Sequence, residues 1–163
     1  MDLEQDIARI AQQEARLRLP VFDADAAWAL GTRLRALAQG RGAALAIEVR
    51  LAGQTAFFCA MAGTSPANAD WARRKRNTVE LMARSSYGIG RSLALEGSTL
   101  EAKLGLPTRD YASHGGSFPL VTPGGTCLGA VTVSGLPQRD DHALVVEALA
   151  ALCGVPPSEV ALA

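Results

Sequence analysis

His114-Gly115-Gly116-Ser117-Phe118-Pro119 sets one of the chain's two histidines beside a double glycine, a hydroxyl and an aromatic ring. Those are the ingredients of a binding turn. Without Cβ atoms, Gly115 and Gly116 let backbone N–H groups approach a ligand, His114 supplies an imidazole that donates, accepts or titrates, and Ser117 supplies a hydroxyl. Four consecutive cations, Arg73-Arg74-Lys75-Arg76, form a second concentration of chemistry. If Arg73, Arg74 and Lys75 converge on the His114 loop, they make a pocket for a carboxylate, a phosphate or a heme propionate.

Other chemistries find less support. His114 and Ser117 lie three apart with no third orienting group and no strand-to-helix elbow, so a serine nucleophile is not indicated. Two histidines and three scattered cysteines, Cys59, Cys127 and Cys153, lack metal-ligand spacing, and no metal site is expected. Gly115-Gly116 and Gly124-Gly125 lack the context of nucleotide-binding loops. Around a helix the four cations point in different directions without an aromatic ladder, which argues against nucleic acid. His142, after Asp140-Asp141 at a helix start, reads as a capping, surface or intersubunit residue.

At 163 residues, 48% hydrophobic and 20% charged, the chain fits one globular domain, 1–163, that needs no metal or disulfide staple. Its formal net charge of zero removes long-range repulsion and favours self-association. Three cysteines cannot all pair, and each sits among apolar residues, which suggests free thiols and a reducing cytoplasm. No basic segment precedes an apolar run and no apolar stretch is long enough to span a bilayer, so neither export nor a membrane is expected.

The elements that position the turn follow from periodicity and punctuation. Residues 2 to 16 carry Leu3, Ile7 and Ile10 at helical spacing, and Asp23 is placed to cap a second helix with Leu30, Leu34 and Leu37 inward. Arg16-Leu17-Arg18-Leu19 between them suits a short edge strand. Leu45, Ile47 and Val49 alternate with polar residues, and Ala52-Gly53-Gln54 turns that strand back through Thr55 to Met61. Asp70 is the cap candidate for a third helix over Trp71 to Ser85, which places the cations in its first turns, against the helix dipole. Shorter helices end at Gly97 and Gly105, a second hairpin folds around Pro123-Gly124-Gly125, and a last helix starts at Asp140-Asp141. Helices and hairpins in this order give an α+β fold: four antiparallel strands, or five with residues 16–19, covered by helices.

Gly115-Gly116-Ser117-Phe118-Pro119, Gly129-Ala130-Val131-Thr132-Val133-Ser134-Gly135 and Asp140-Asp141 together resemble the HbpS-like family, which includes GlcG and the C-terminal domain of PduO. Lys75 and Thr78 match its upstream helix motif. Trp71 to Asn77, Ser85-Ser86-Tyr87, His114 to Pro119 and Ser134 to Gln138 with Asp141-His142 look like its cytoplasmic branch over nearly the whole length. The resemblance implies a helix-sandwiched antiparallel sheet and homo-oligomers built from dimers. Some relatives bind heme and have been called heme-degrading. Here the V-D-x-x-G of many heme-associated members is replaced by Val49-Arg50-Leu51-Ala52-Gly53, and no axial ligand carries over.

The expected function is thus an oligomeric, cytoplasmic module that binds a small anionic or planar ligand at His114, Gly115, Gly116, Ser117 and Phe118, assisted by Arg74 and Lys75. The alternatives are an enzyme acting on a tetrapyrrole or a glycated small molecule, with His114 as acid or base, and a non-catalytic assembly or adaptor protein.

Overall fold

The structure is a computed structural model and describes residues 2–163. Among the described residues six helices and one four-stranded sheet follow in the order α1 (Leu3–Arg16), α2 (Ala24–Gly40), β1 (Ala46–Leu51), β2 (Gln54–Ala60), α3 (Pro66–Met82), α4 (Ser86–Glu96), α5 (Leu100–Leu104), β3 (Ser117–Val121), β4 (Cys127–Ser134) and α6 (Gln138–Leu152). A short 3-10 turn at Pro157–Glu159 ends the chain's regular structure. The two hairpins join through β1 and β4, giving the all-antiparallel strand order β2-β1-β4-β3.

The two faces of this sheet differ in chemistry. Ile47, Val49, Val131, Val133, Phe118 and Leu120 point to one side and pack with Leu30 and Leu34 of α2 and Leu144 and Leu149 of α6, all within a few percent of complete burial. Each such side chain contributes about 1.5–3 kcal/mol of transfer free energy, so this layer supplies most of the driving force for folding. On the opposite face α3 lies across residues of mixed polarity, among them Glu48, Arg50, Ser117, Thr132 and Ser134. Arg76 pairs with Glu48 at 3.2 Å and Arg50 with Glu80 at 3.0 Å, so this second layer is held largely by ion pairs and hydrogen bonds.

Several boundaries move from their expected places. Residues 17–19 form no strand; Leu19 N–H donates a single bond to the Val121 carbonyl (2.9 Å), and the sheet keeps four strands. Helix α1 docks within the chain on α4, and it buries polar residues as well as Ile10. Asp6 meets Arg139 at 2.9 Å and Arg91 at 3.0 Å, and Gln13 bonds the Val160 carbonyl at 2.6 Å. His142 is neither a cap nor a surface residue: it is 1% exposed, its Nε2 lies 2.8 Å from Gln13 Oε1, and its ring packs near Tyr87 and Phe118. The fifth position of α6 faces inward, which the adjacent aspartates disguise.

Candidate functional site

The N-cap of helix α3 is Ser65, five residues before the expected Asp70. Ser65 precedes Pro66 at the first helical position, and Ser65 N–H donates to Asn68 Oδ1 at 3.0 Å, closing the N-terminus early. The run Arg73–Arg76 therefore lies in mid-helix, away from the unfavourable end of the dipole, and Asp70 sits inside the helix. Each cation has an internal partner. Arg73 reaches Asp70 (3.1 Å) and Asp110 (2.9 Å), Arg76 reaches Glu48, and Arg74 Nε donates to the Thr108 carbonyl (2.9 Å) while its guanidinium stacks 4.2 Å from the Trp71 ring centroid. Successive 100° steps aim the four at four neighbours.

Lys75 points inward and is 3% exposed. Its Nζ donates to the carbonyls of Gly115 (2.9 Å) and Val133 (2.7 Å) and pairs with Asp141 Oδ2 at 3.1 Å. All three ammonium protons are thereby used. Asp141, 2% exposed, also accepts from Leu136 N–H (3.0 Å) and Gly135 N–H (3.4 Å), and Gln138 Oε1 accepts from Gly115 N–H (3.2 Å). One buried ion pair thus ties α3, the His114 turn, the end of β4 and the start of α6 to a single point. Burial pulls the Lys75 ammonium below its ordinary range and lifts the Asp141 carboxyl above its own, each opposed by the other's charge. The three acceptors around Nζ favour the charged form of the ammonium against that burial.

The glycines serve this junction by their lack of bulk. Gly116 has φ +128°, and a Cβ there would lie 2.5 Å from the Val133 carbonyl and 2.6 Å from Lys75 Nζ. At Gly115 a Cβ would lie 2.1 Å from the Gln138 carbonyl. Gly115→Ala is expected to push the turn off α6 and cost about 1–3 kcal/mol. Chemical denaturation checks it: an unchanged midpoint would mean that the contact relaxes freely.

Over the ion pair opens a cleft of about 290 Å3, walled by Trp71, His114, Gly115, Leu136, Gln138 and Asn68. The His114 ring stands edge-on to Trp71, centroids 4.9 Å apart at 71°. Desolvation, then repulsion from Lys75 and Arg74, holds the His114 imidazole below its ordinary value, so it is neutral at pH 7 and offers one donor and one acceptor. An aromatic wall, a neutral imidazole and an amide at the rim of the cleft can grip a planar polar molecule.

Of the residues expected at a site, the structure brings His114, Gly115 and Lys75 to this cleft. It places the others elsewhere. Arg74 turns to a neighbouring groove, bonded to Thr108. Gly116 is buried behind the turn, Ser117 is 1% exposed with its Oγ 2.7 Å from Thr132 Oγ1, and Phe118 fills the apolar core. Strand alternation accounts for this, because β3 begins at Ser117 and its side chains point into the two layers rather than to a ligand. Asn68, Leu136, Gln138 and Asp141 join the cleft from segments that no local spacing connects to His114.

Among known proteins, a UPF0303 protein of Azotobacter vinelandii is 54% identical over 162 residues, covering 99% of this chain and 98% of that one. A UPF0303 protein of Paraburkholderia phymatum is 54% identical over 163 residues, 100% and 99% of the two chains. The crystal structure of the Ybr137w protein superposes with a TM-score of 0.84 at 27% identity, covering 91% of this chain and 87% of that one. The crystal structure of HbpS gives 0.64 at 20% identity over 83% and 92%, and that of a PduOC:Heme complex gives 0.65 at 18% over 76% and 88%, likenesses of fold alone. Residues 22–150 match the family model described as "Haem degrading protein HbpS-like", and this chain belongs to the HbpS-like family.

Proposed function

We propose that this protein binds a small planar ligand carrying a carboxylate or a comparable acceptor in the cleft between Trp71 and His114. The observation that carries this reading is the buried Lys75–Asp141 pair beneath an open cleft. A charge pair kept almost wholly from water is costly to maintain, and here it fixes the walls of a cavity with an aromatic face and a neutral imidazole. Arg74 and Lys75 do not touch the ligand in this reading. Their positive potential, which already depresses His114, favours an anionic substituent near its ring.

Haem fits this cleft poorly. A macrocycle needs two broad apolar walls and an iron ligand, whereas Trp71 and Leu136 are the apolar side chains lining this one. The volume also sits at the bottom of the range of about 300–1,000 Å3 for drug-sized ligands. The reading is therefore a metabolite smaller than a tetrapyrrole, bound by a module that needs no reaction to account for its geometry. Among the described residues no helix is long and apolar enough to cross a membrane, and Cys59, Cys127 and Cys153 are free thiols, which suits a reducing cytoplasm.

Calorimetric titration with benzoate, nicotinate and indole-3-carboxylate tests the site. At least one should bind, and both His114→Ala and Trp71→Ala should weaken it about tenfold or more, the loss of one polar or stacking contact. Binding that ignores both substitutions removes the cleft from the account. In a parallel hemin titration no Soret shift dependent on His114 is expected, and a shift abolished by His114→Ala would favour the tetrapyrrole reading instead.

A further inference from the structure

The His114 turn leans on two helices. Towards α6, Gly115 N–H donates to Gln138 Oε1 (3.2 Å). Towards α4, the Ser113 carbonyl comes so close to Gly90 that a Cβ there would lie 2.2 Å from its oxygen. Between α4 and the turn a second hollow opens, of about 160 Å3, lined by Gly90, Arg91, Ala94, Ser113, His114 and Gln138. His114 and Gln138 also line the cleft beside Trp71, so these two side chains divide one hollow from the other.

Their chemistry differs. Every polar side chain lining the α4 hollow can donate a hydrogen bond, and none is a carboxylate. The bond from Gly115 N–H engages Gln138 Oε1 and so turns the two Nε2 protons of that amide away from Gly115. Arg91 brings a full charge. It pairs with Asp6 at 3.0 Å, but that carboxylate is shared with Arg139 at 2.9 Å, and the shielded Arg91 Nε has no partner among the described residues. The guanidinium stands 5.6 Å from the Tyr87 ring centroid, which steadies the charge beside the hollow. From the far side of His114, Lys75 and Arg74 add positive potential. A guanidinium, a primary amide, a hydroxyl and an imidazole around one hollow, with no carboxylate among them, suit an oxyanion.

We propose that this hollow is an oxyanion subsite that holds a carboxylate or phosphate group on the α4 side of His114, with Arg91 as counter-charge and Ser113, His114 and Gln138 as hydrogen-bond donors. The inference deepens the cleft reading and rests on it for the planar half of the ligand alone. The aromatic body lies against Trp71, and its oxyanion lies across the His114 ring.

The imidazole itself reports on the site. His142 is buried with a pKa of about 3, so of the two histidines His114 is the one whose ring Cε1–H resonance should titrate between about pH 5 and pH 8. An anion bound beside the ring favours the imidazolium. When inorganic phosphate or acetate replaces chloride at constant ionic strength, the His114 midpoint should rise by about 0.5 or more. The anion that acts at the lower concentration tells phosphate from carboxylate. Ala94 is exposed at the mouth of the hollow, so Ala94→Glu should weaken anion affinity about tenfold and Ala94→Lys should strengthen it. Arg91→Gln should also weaken it about tenfold, with Arg139 still paired to Asp6. If Arg91→Gln loses its native circular dichroism, the two Ala94 variants decide. A His114 midpoint indifferent to both anions, or moved by the same anion concentrations in wild type and Ala94→Glu, would overturn the subsite. Phosphate and acetate have no planar body, so that result leaves the cleft to be judged by the aromatic carboxylates.

Discussion

Lys75→Met should lower the stability at pH 7 by about 3–5 kcal/mol, the cost of stranding one partner of a buried ion pair. For a domain of this size that is a fall of about 10 °C or more in the unfolding midpoint. The size follows from what the ammonium holds. Removing it leaves the Asp141 carboxylate, 2% exposed, without a counter-charge, and leaves the carbonyls of Gly115 and Val133 without their donor. Asp141→Asn should cost less, because an amide oxygen can still accept from Leu136 N–H. In a double-mutant cycle the Lys75→Met, Asp141→Leu pair should be less destabilised than the two single losses added together.

A pH readout separates this account from simple loss of packing. Burial already lifts the Asp141 carboxyl, and without Lys75 the folded-state value rises further above that of the unfolded chain. A group with a raised folded pKa binds protons more readily in the folded state, so the variant should gain stability relative to wild type as pH falls from 7 toward 5. Denaturant titrations at both pH values measure this. A deficit independent of pH would mean that Lys75 matters for its carbon chain alone.

The same junction shows where reading the sequence stops. Alternation in Leu45 to Val49, the turn at Ala52-Gly53-Gln54 and the glycines at 97 and 105 are local signals with local causes, and the hairpins and helix ends lie where they point. The start of α3 was also legible, since Ser65-Pro66 followed by Asn68 is a capping pattern, but Asp70 before Trp71 competes with it. Choosing Asp70 made the cationic run look unpaired at a helix N-terminus. The partners that neutralise it, Glu48, Asp110, Asp141 and the Thr108 carbonyl, come from elements joined only by the tertiary fold. His114 and Gly115, which line the candidate cleft, stood out in the sequence by type. Gln138, Leu136 and Asn68 were not, because an amide or an aliphatic side chain carries no mark of the cavity it will line.

His142, expected at a cap, on the surface or at a subunit contact, is enclosed within the fold instead, and its burial should govern the protein's acid stability. Its ring is enclosed, Nε2 faces Gln13, and Nδ1 has no partner, so protonation inside the fold would strand a charge. Desolvation is the main cause, and the Arg139 charge adds to it against the weaker pull of Asp6; together they push its pKa from the ordinary 6.5 down to about 3. Because the folded value is depressed, the unfolded chain takes up the proton first. Stability from this group is complete above pH 6.5 and drains away as pH falls toward 3, by about 2 kcal/mol at pH 5 and on the order of 4–5 kcal/mol at the lower limit. Asp141 and Glu48, whose carboxyls burial lifts, act with the opposite sign in the same range and soften the total slope. Comparison with His142→Gln, which cannot titrate and can still bond Gln13, isolates the histidine's share. Between pH 7 and pH 5 the wild type's urea midpoint should fall by about 1 M more than that of the variant. Equal shifts in the two proteins would show that the buried imidazole exchanges protons without unfolding, and that the contact between α1 and α6 opens in the native state.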